Sequence, residues 1–352
     1  MKPNRSFWKD KRVLLTGHSG FKGSWLAFWL SALGARVTGV SLPPLAEPNL
    51  FSLIKIDELI DSRYIDIRNA EQLSKLTREI SPHVVFHLAA QPLVRAGYRD
   101  PLETFSSNIM GTANILESLR GVDSVQAAVI ITTDKVYQNQ EWPYPYREND
   151  TLGGHDPYSS SKAAAEIVTS CYRDSFLADQ GIAVATARAG NVIGGGDWSE
   201  DRLIPDAVRA WEDDTPLTIR SPMAIRPWQH VLEPLAGYLT LSEKISGRME
   251  LAGAYNFGPE TNTAATVREV IEQANKSYGR GKIIWGDSSD GPHEAGFLTL
   301  DIAKAKTILG VKPRWSLKDA IEHTMTWYLQ FSQGVDPCEL CSAEITEYES
   351  LL

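Results

Sequence analysis

Apolar positions along the first half of the chain fall into six short runs separated by helical stretches. Arg12–Thr16 (RVLLT) predicts a strand. After a glycine-bearing turn, SWLAFWLSALG is apolar nearly all round and stops at Gly34, as a buried helix with a glycine end does. ARVTGVSL predicts a second strand and Tyr64–Ile67 (YIDI) a third. AEQLSKLTREI is amphipathic at helical period, and His83–Ala90 (HVVFHLAA) predicts a fourth strand. A long helix is expected over Thr104–Leu119, a fifth strand over Gln126–Thr133, a second long helix over Ser159–Ala178, and a sixth strand in IAVATAR, ending at Arg188.

Strands that are apolar throughout and alternate with helices imply a parallel sheet covered on both faces. Ligands of such sheets bind beyond the carboxyl ends of the strands. Here those ends are Gly17, Ser41, Asp66, Ala89, Thr133 and Gly190. After Arg188 the alternation fades. AYNFGP, TVREVIEQANKSY and KIIWG predict a smaller mixed unit, and the stretch from Gln333 lacks periodicity and reads as peripheral. The expected fold class is therefore α/β: a Rossmann-type doubly wound parallel sheet with a smaller mixed C-terminal substrate domain. The boundaries read as residues 1–190 for the sheet domain, with 228–257 returning to it, 191–332 for the second domain, and 333–352 for the tail.

The chain of 352 residues suits two domains sharing a cleft. Its net charge of −9 argues against a nucleic-acid partner, and any phosphorylated ligand would need a local basic pocket. The three cysteines, Cys171, Cys338 and Cys341, make no disulfide framework and suit a reducing compartment. Cys338 and Cys341 (CELC) read either as half a zinc site or as two thiols on a solvated tail. No second Cys/His pair lies near them in sequence, so no metal is expected. Residues 1–12 are polar and charged, and the apolar helix after Gly23 is too short to span a bilayer, so a cytoplasmic protein without a membrane partner is expected.

Candidate chemistry begins at GHSGFKG, Gly17–Gly23. Between a strand and a helix, Gly17 permits the tight turn, Gly20 admits a pyrophosphate and Gly23 lets the helix pack close to the strand. The helix N-terminus offers free N–H groups to the diphosphate. Tyr158 and Lys162, in YSSSK, share one helix face. A nearby ammonium favours the phenolate, and Tyr158 could then take a proton from a sugar hydroxyl. The glycine spacing G-x-x-G-x-x-G, together with this Y-x-x-x-K pair, resembles extended short-chain dehydrogenases/reductases.

Thr133, Asp134 and Lys135 (TDK) end the fifth strand. A Thr-Asp pair followed by an ionisable residue resembles the nucleotide-sugar 4,6-dehydratases of that superfamily, many of which carry Thr-Asp-Glu. With RAGNVIGGGDWSEDRLIPD from Arg188 and RPWQHVLEPLAGYL from Arg226, the chain is similar to CDP-glucose 4,6-dehydratases from the glycine loop to about Thr324. The resemblance implies oxidation at C4, loss of the C5 proton and the C6 hydroxyl as water, and hydride return to C6. Asp134 is the expected acid if its pocket raises its pKa. Lys135 is the expected C5 base or enolate stabiliser. Alternatively, the two form a loop ion pair.

The resemblance further implies tightly held NAD. Its contacts are expected from Gly17, His18, Ser19, Gly20, Phe21, Lys22, Gly23, Ser41, Asp66, Ile67, Leu88, Ala89, Ala90, Asn108, Thr132, Tyr158 and Lys162. The residues alone leave NAD and NADP open, because Ser41 stands where an acid often holds the ribose. For CDP-glucose the candidates are Gln91, Asn191, Arg202, Leu203, Ile204, Arg220, Arg226, His230 and His293, with arginine forks suited to phosphate oxygens. A homodimer paired through the long helices at Thr104 and Ser159 is also implied. Competing readings are another nucleotide-sugar 4,6-dehydratase, a 4-epimerase that needs no acid at C6, and a catalytically silent dinucleotide-binding regulator.

Overall fold

The structure, a computed structural model, describes residues 2–44, 47–286 and 296–352. Seven parallel strands form the central sheet: β1 (Arg12–Thr16), β2 (Arg36–Ser41), β3 (Asp61–Tyr64), β4 (Val84–His87), β5 (Ala127–Ile131), β6 (Ala183–Ala189) and β7 (Gly253–Phe257). Their order is β7-β6-β5-β4-β1-β2-β3, and every neighbouring pair is parallel. The winding reverses between β1 and β4, which opens a crevice at their carboxyl ends. Successive side chains of a strand point to opposite faces. Val13 and Leu15 accordingly join one buried cluster, while Leu14 joins the other.

The third strand differs from the sequence expectation. It is the polar segment DSRY at the sheet edge, and it shares only Tyr64 with YIDI. The isoleucines follow the strand and anchor the next loop: Ile67 is buried against Gly111, where a Cβ would stand 2.4 Å from its Cδ1. An edge strand with few buried side chains carries little apolar signal, and the loop anchor carries it instead.

Helix α1 (Phe21–Ala32) follows β1, α2 (Gly111–Ser118) precedes β5, and α3 (Pro157–Tyr172) precedes β6. The expected long helix before β5 is a helical run from Pro101 with a π turn at Ser106–Met110, where Asn108 sits. A π turn follows α3 at Arg173–Leu177. Helix α4 (Leu232–Ile245) packs against β5 and β6. The second half of the chain supplies short pieces. Val192–Ile193 pairs with Gln229–His230, Ile225–Arg226 with Ala265–Thr266, and Leu217–Ile219 with Ile283–Trp285. The expected helix Val267–Tyr278 opens with a Thr266/Glu269 capping box.

The tail is not peripheral. Helix α5 (Leu317–Ser332) is followed by α6 (Pro337–Ser350), capped by Asp336 with Pro337 in its first turn. Leu340, Cys341, Ile345 and Tyr348 join the first core cluster. Glu349 accepts from Trp29 Nε1 at 2.9 Å, and the Tyr348 hydroxyl donates to Glu233 at 2.7 Å. The apolar stripe of α6 is narrow and flanked by glutamates that find buried partners, so its pattern does not read as amphipathic. Cys341 is thus a core side chain rather than a solvated thiol. Among the described residues, no group of three or more His, Cys, Asp or Glu is arranged to hold a metal ion. No described helix is long and apolar enough to cross a membrane.

Candidate active site

The glycine loop turns β1 into α1. Gly17 has φ +80°, and a Cβ there would stand 2.6 Å from Ala89 N, so the loop lies directly on the chain leaving β4. At Gly23 a Cβ would meet Gly17 O at 1.9 Å, which enforces close packing of α1 on the loop. Gly20 caps α1 without a side-chain hydrogen bond, and its nearest neighbour to an added Cβ is 3.4 Å away. With no side-chain cap on α1 and little crowding at Gly20, the cradle fits a diphosphate.

The other loop residues divide. His18 turns into the fold, with Nε2 2.6 Å from Ser62 Oγ and its ring edge-on to Phe51. Burial lowers its pKa to about 4, so it is neutral. Ser41 Oγ lies 2.8 Å from Ser19 Oγ, and Ser19 donates to the Leu42 carbonyl. A Cβ at Gly194 would stand 3.2 Å from Phe21 Cζ, which places that ring against the start of the second half. Lys22 reaches the cleft, and burial together with Arg202 and Lys162 lowers its pKa to about 8. Asp66 accepts a forked pair from Arg68, which also reaches Glu103.

Beyond the strand ends lies a cleft of about 940 Å³. It collects Lys22, Leu88, Ala90, Thr132, Thr133, Asp134, Lys135, Tyr158 and Lys162 from the first half. From the second half come Asn191, Arg202, Leu203, Ile204, Arg220 and Arg226. Gln91 and Asn108 stand behind its wall: Asn108 accepts from Gln91 N at 2.8 Å and donates to Ser161 Oγ at 2.8 Å, next to Lys162. Asp66 and Ile67 lie beyond the cleft, on the β3 side.

His230 is not brought to the cleft. It is fully buried between Trp25 and Trp315, with Nε2 3.4 Å from Glu344 Oε2 on α6. It belongs to the packing of the tail helix, a placement that its neighbour Trp228, which does line the cleft, gives no means to foresee. His293 lies outside the described residues.

The four chemical side chains come from two elements. Tyr158 and Lys162 stand one turn apart on α3, and Lys162 Nζ donates to the Ile131 carbonyl at 2.9 Å. Burial lowers the Lys162 pKa to about 8, with Glu166 acting in the opposite direction. Burial raises the Tyr158 pKa, opposed by Arg202 and Thr133. The sequence reading has a nearby ammonium favour the phenolate, and the cation that opposes the burial shift here is Arg202.

Asp134 and Lys135 sit on a single 3-10 turn, Asp134–Val136, capped by Thr133. Asp134 Oδ1 accepts from Thr133 Oγ1 at 2.9 Å, while Oδ2 is buried without a hydrogen-bond partner among the described residues, and a Cβ at Gly190 would be 3.0 Å from it. Burial raises the Asp134 pKa, opposed by Lys135, and a protonated carboxyl suits that site. Burial lowers the Lys135 pKa, with Arg226 adding to the effect and Asp134 opposing it. An acid pushed up beside an amine pushed down is the arrangement that proton transfer requires.

Two features escape a reading of the sequence. An ion pair, Arg95 Nη1 to Asp201 Oδ1 at 2.7 Å, joins cleft residues that are far apart in sequence. A buried pair, Glu166 and Arg188, lies behind Thr132. Glu166 follows Lys162 by one helical turn, the only signal that could point to it.

The family model described as GDP-mannose 4,6 dehydratase matches residues 14–324. A CDP-glucose 4,6-dehydratase of Salmonella typhimurium is 43% identical, over 99% of this chain and 98% of its own. A dTDP-glucose 4,6-dehydratase of the same organism is 26% identical, over 92% and 94%. Among solved structures, a UDP-glucuronic acid 4-epimerase from Bacillus cereus, in complex with UDP-glucuronic acid and NAD, superposes with a TM-score of 0.78 at 25% identity, covering 91% of this chain and 99% of that one. A Bacillus anthracis dTDP-glucose 4,6-dehydratase in complex with NAD has the same fold, with a TM-score of 0.77 at 23% identity, covering 93% and 99%. The chain belongs to the GDP-mannose 4,6 dehydratase family, the nucleotide-sugar 4,6-dehydratases of the extended short-chain dehydrogenase/reductase type.

Proposed function

We propose that this protein dehydrates CDP-D-glucose to CDP-4-keto-6-deoxy-D-glucose with NAD as a resident cofactor. The observation that carries the reading is the shared cleft, lined by Tyr158 and Lys162 of α3, by Asp134 and Lys135 of the turn after β5, and by Arg202, Arg220 and Arg226. The similarity to the Salmonella enzyme over nearly the whole chain supports the choice of CDP-glucose.

NAD would be held by the Gly17–Gly23 loop and the free N-terminus of α1, with Ser41 and Asp66 toward its adenosine end and Thr132, Tyr158 and Lys162 toward its nicotinamide. When bound, it supplies the hydride acceptor for C4, the hydride donor for C6 and a positive charge that favours the Tyr158 phenolate. Tyr158 takes the proton of the C4 hydroxyl. Lys135, its amine made available by burial, takes the proton at C5, now acidic beside a carbonyl. Asp134, whose pKa burial raises, gives its proton to the C6 hydroxyl, which leaves as water. Lys135 returns its proton to C5, and the proton held by Tyr158 balances the one Asp134 lost. Arg202, Arg220 and Arg226 line the part of the cleft suited to a nucleoside diphosphate.

On this reading, residues 1–190 with 228–257 carry the cofactor and 191–332 the nucleotide sugar. A homodimer fits the exposed apolar side chains of Leu102, Met110, Ile167 and Phe176 on the two long helical runs, and light scattering tests it. Three free cysteines suit a cytoplasmic setting. The functional test is a screen of CDP-, dTDP-, GDP- and UDP-glucose with mass detection of water loss. Turnover of CDP-glucose is expected, and no turnover of any nucleotide-glucose would overturn the reading.

A further inference from the structure

Behind the cleft floor, the Glu166 carboxylate on α3 is buried among three donors. It accepts from Thr132 Oγ1 at 2.5 Å, Thr186 Oγ1 at 2.7 Å and Arg188 Nη2 at 2.9 Å. Arg188, on β6, extends the chain: its Nη1 donates to the Tyr137 hydroxyl at 2.9 Å and to the Glu148 carbonyl at 2.9 Å. The Tyr137 hydroxyl in turn donates to Asn256 Oδ1 on β7 at 2.6 Å. Both charges are almost wholly buried.

The connectivity of this network is specific. Thr132 directly precedes the Thr133–Val136 turn and Tyr137 directly follows it, so both ends of the turn bearing Asp134 and Lys135 are tied to one ion pair. Glu166 itself stands one turn after Lys162 and two after Tyr158 on the same helix. The pair therefore sets where the acid and amine of the short turn stand relative to the tyrosine and lysine of the helix. A buried pair of this kind contributes little net stability, and fixing a geometry is the better-attested use.

Resting on the dehydratase reading, we propose that Glu166 and Arg188, acting through Thr132 and Tyr137, are positioning residues that couple sugar oxidation to water loss. Tyr158 and Lys162 sit on a rigid helix and keep their place without the clamp. Asp134 and Lys135 sit on a three-residue turn and do not. Loosening the clamp therefore leaves C4 oxidation nearly intact and slows elimination, so that CDP-4-ketoglucose outlives its normal fate.

Tyr137→Phe and Thr132→Val each remove one tie; Thr132→Ser keeps the hydroxyl. Tyr137→Phe retains the ring, which lies 5.0 Å from the Arg188 guanidinium and stacks on Tyr146. Hydrogen exchange of the substrate-free proteins should quicken at amides 133–137 in both deletion variants, with helix 157–172 unchanged. In quenched single turnovers of Tyr137→Phe, water loss should slow by roughly tenfold to hundredfold while C4 oxidation changes by about twofold or less. Unchanged exchange, or equal slowing of both steps, overturns the proposal. The exchange arm needs no substrate, so a wild-type protein that turned over no nucleotide-glucose would sink the functional reading and leave that arm to decide the clamp.

Discussion

The cleft holds two acid–base pairs that are built in opposite ways. Tyr158 and Lys162 lie on sixteen residues of regular helix, and their separation follows from helical geometry alone. Asp134 and Lys135 lie on a three-residue 3-10 turn whose placement depends on bonds to β6, α3 and β7. The first pair is local chemistry on a stiff rod; the second is tertiary chemistry on a short strap. Reactions that use both pairs should therefore fail in different ways when each is disturbed.

The largest effect is expected from Tyr158→Phe, which removes the proton acceptor of the first step. Turnover should fall by about 10²–10⁴-fold, with neither 4-ketoglucose nor the 6-deoxy product formed in quenched reactions. Asp134→Asn attacks the other pair. Overall turnover should drop by about 10²-fold or more while C4 oxidation persists, so that CDP-4-ketoglucose accumulates. If both variants gave the same arrest point, the division between the pairs would be lost.

The next effect is on pH. Lys162 and Lys22 both have values lowered to about 8 by burial. Turnover that needs the Lys162 ammonium should decline above about pH 8, by about tenfold per pH unit at most, in an initial-rate profile. The sign for stability is opposite. Both folded values lie below the ordinary 10.5, so the unfolded chain binds more protons between about 8 and 10.5. The cofactor-free protein should gain stability as pH rises through that window, read by denaturant midpoints.

The smallest effect lies outside the cleft. Tyr348→Phe removes the bond from α6 to Glu233 and should cost about 1 kcal/mol in unfolding free energy, with turnover unchanged. A loss of turnover instead would mean that the tail helix acts on the cleft and not only on the core.

The same contrast explains which parts of the molecule are legible in its sequence. GHSGFKG and YSSSK are contiguous motifs at helix and turn spacing, and the fold brings Lys22 of the first into the same cleft as Tyr158 and Lys162 of the second. TDK shows the right residue types at a strand end, but nothing local shows the Glu166–Arg188 pair that holds them, because its members lie on α3 and β6, far from TDK in sequence. The third strand is displaced from its expected place because its own side chains are polar and the loop after it is not. Helix α6 is hidden because its buried face includes glutamates: Glu349 accepts from distant Trp29, and Glu344 stands 3.4 Å from His230. The neighbours of His230 in sequence point it to the cleft, while its side chain is buried in the core.

The central claim is that both pairs act in one cycle on one sugar, and its most direct test is a reaction in heavy water. The protein is incubated with CDP-glucose and no added reductant, and the product is read by mass and by proton resonance at C5. The account predicts loss of one water and one deuterium carried at C5, delivered by Lys135. A product of unchanged mass with ordinary hydrogen at C5 would be the outcome of 4-epimerisation and would contradict it.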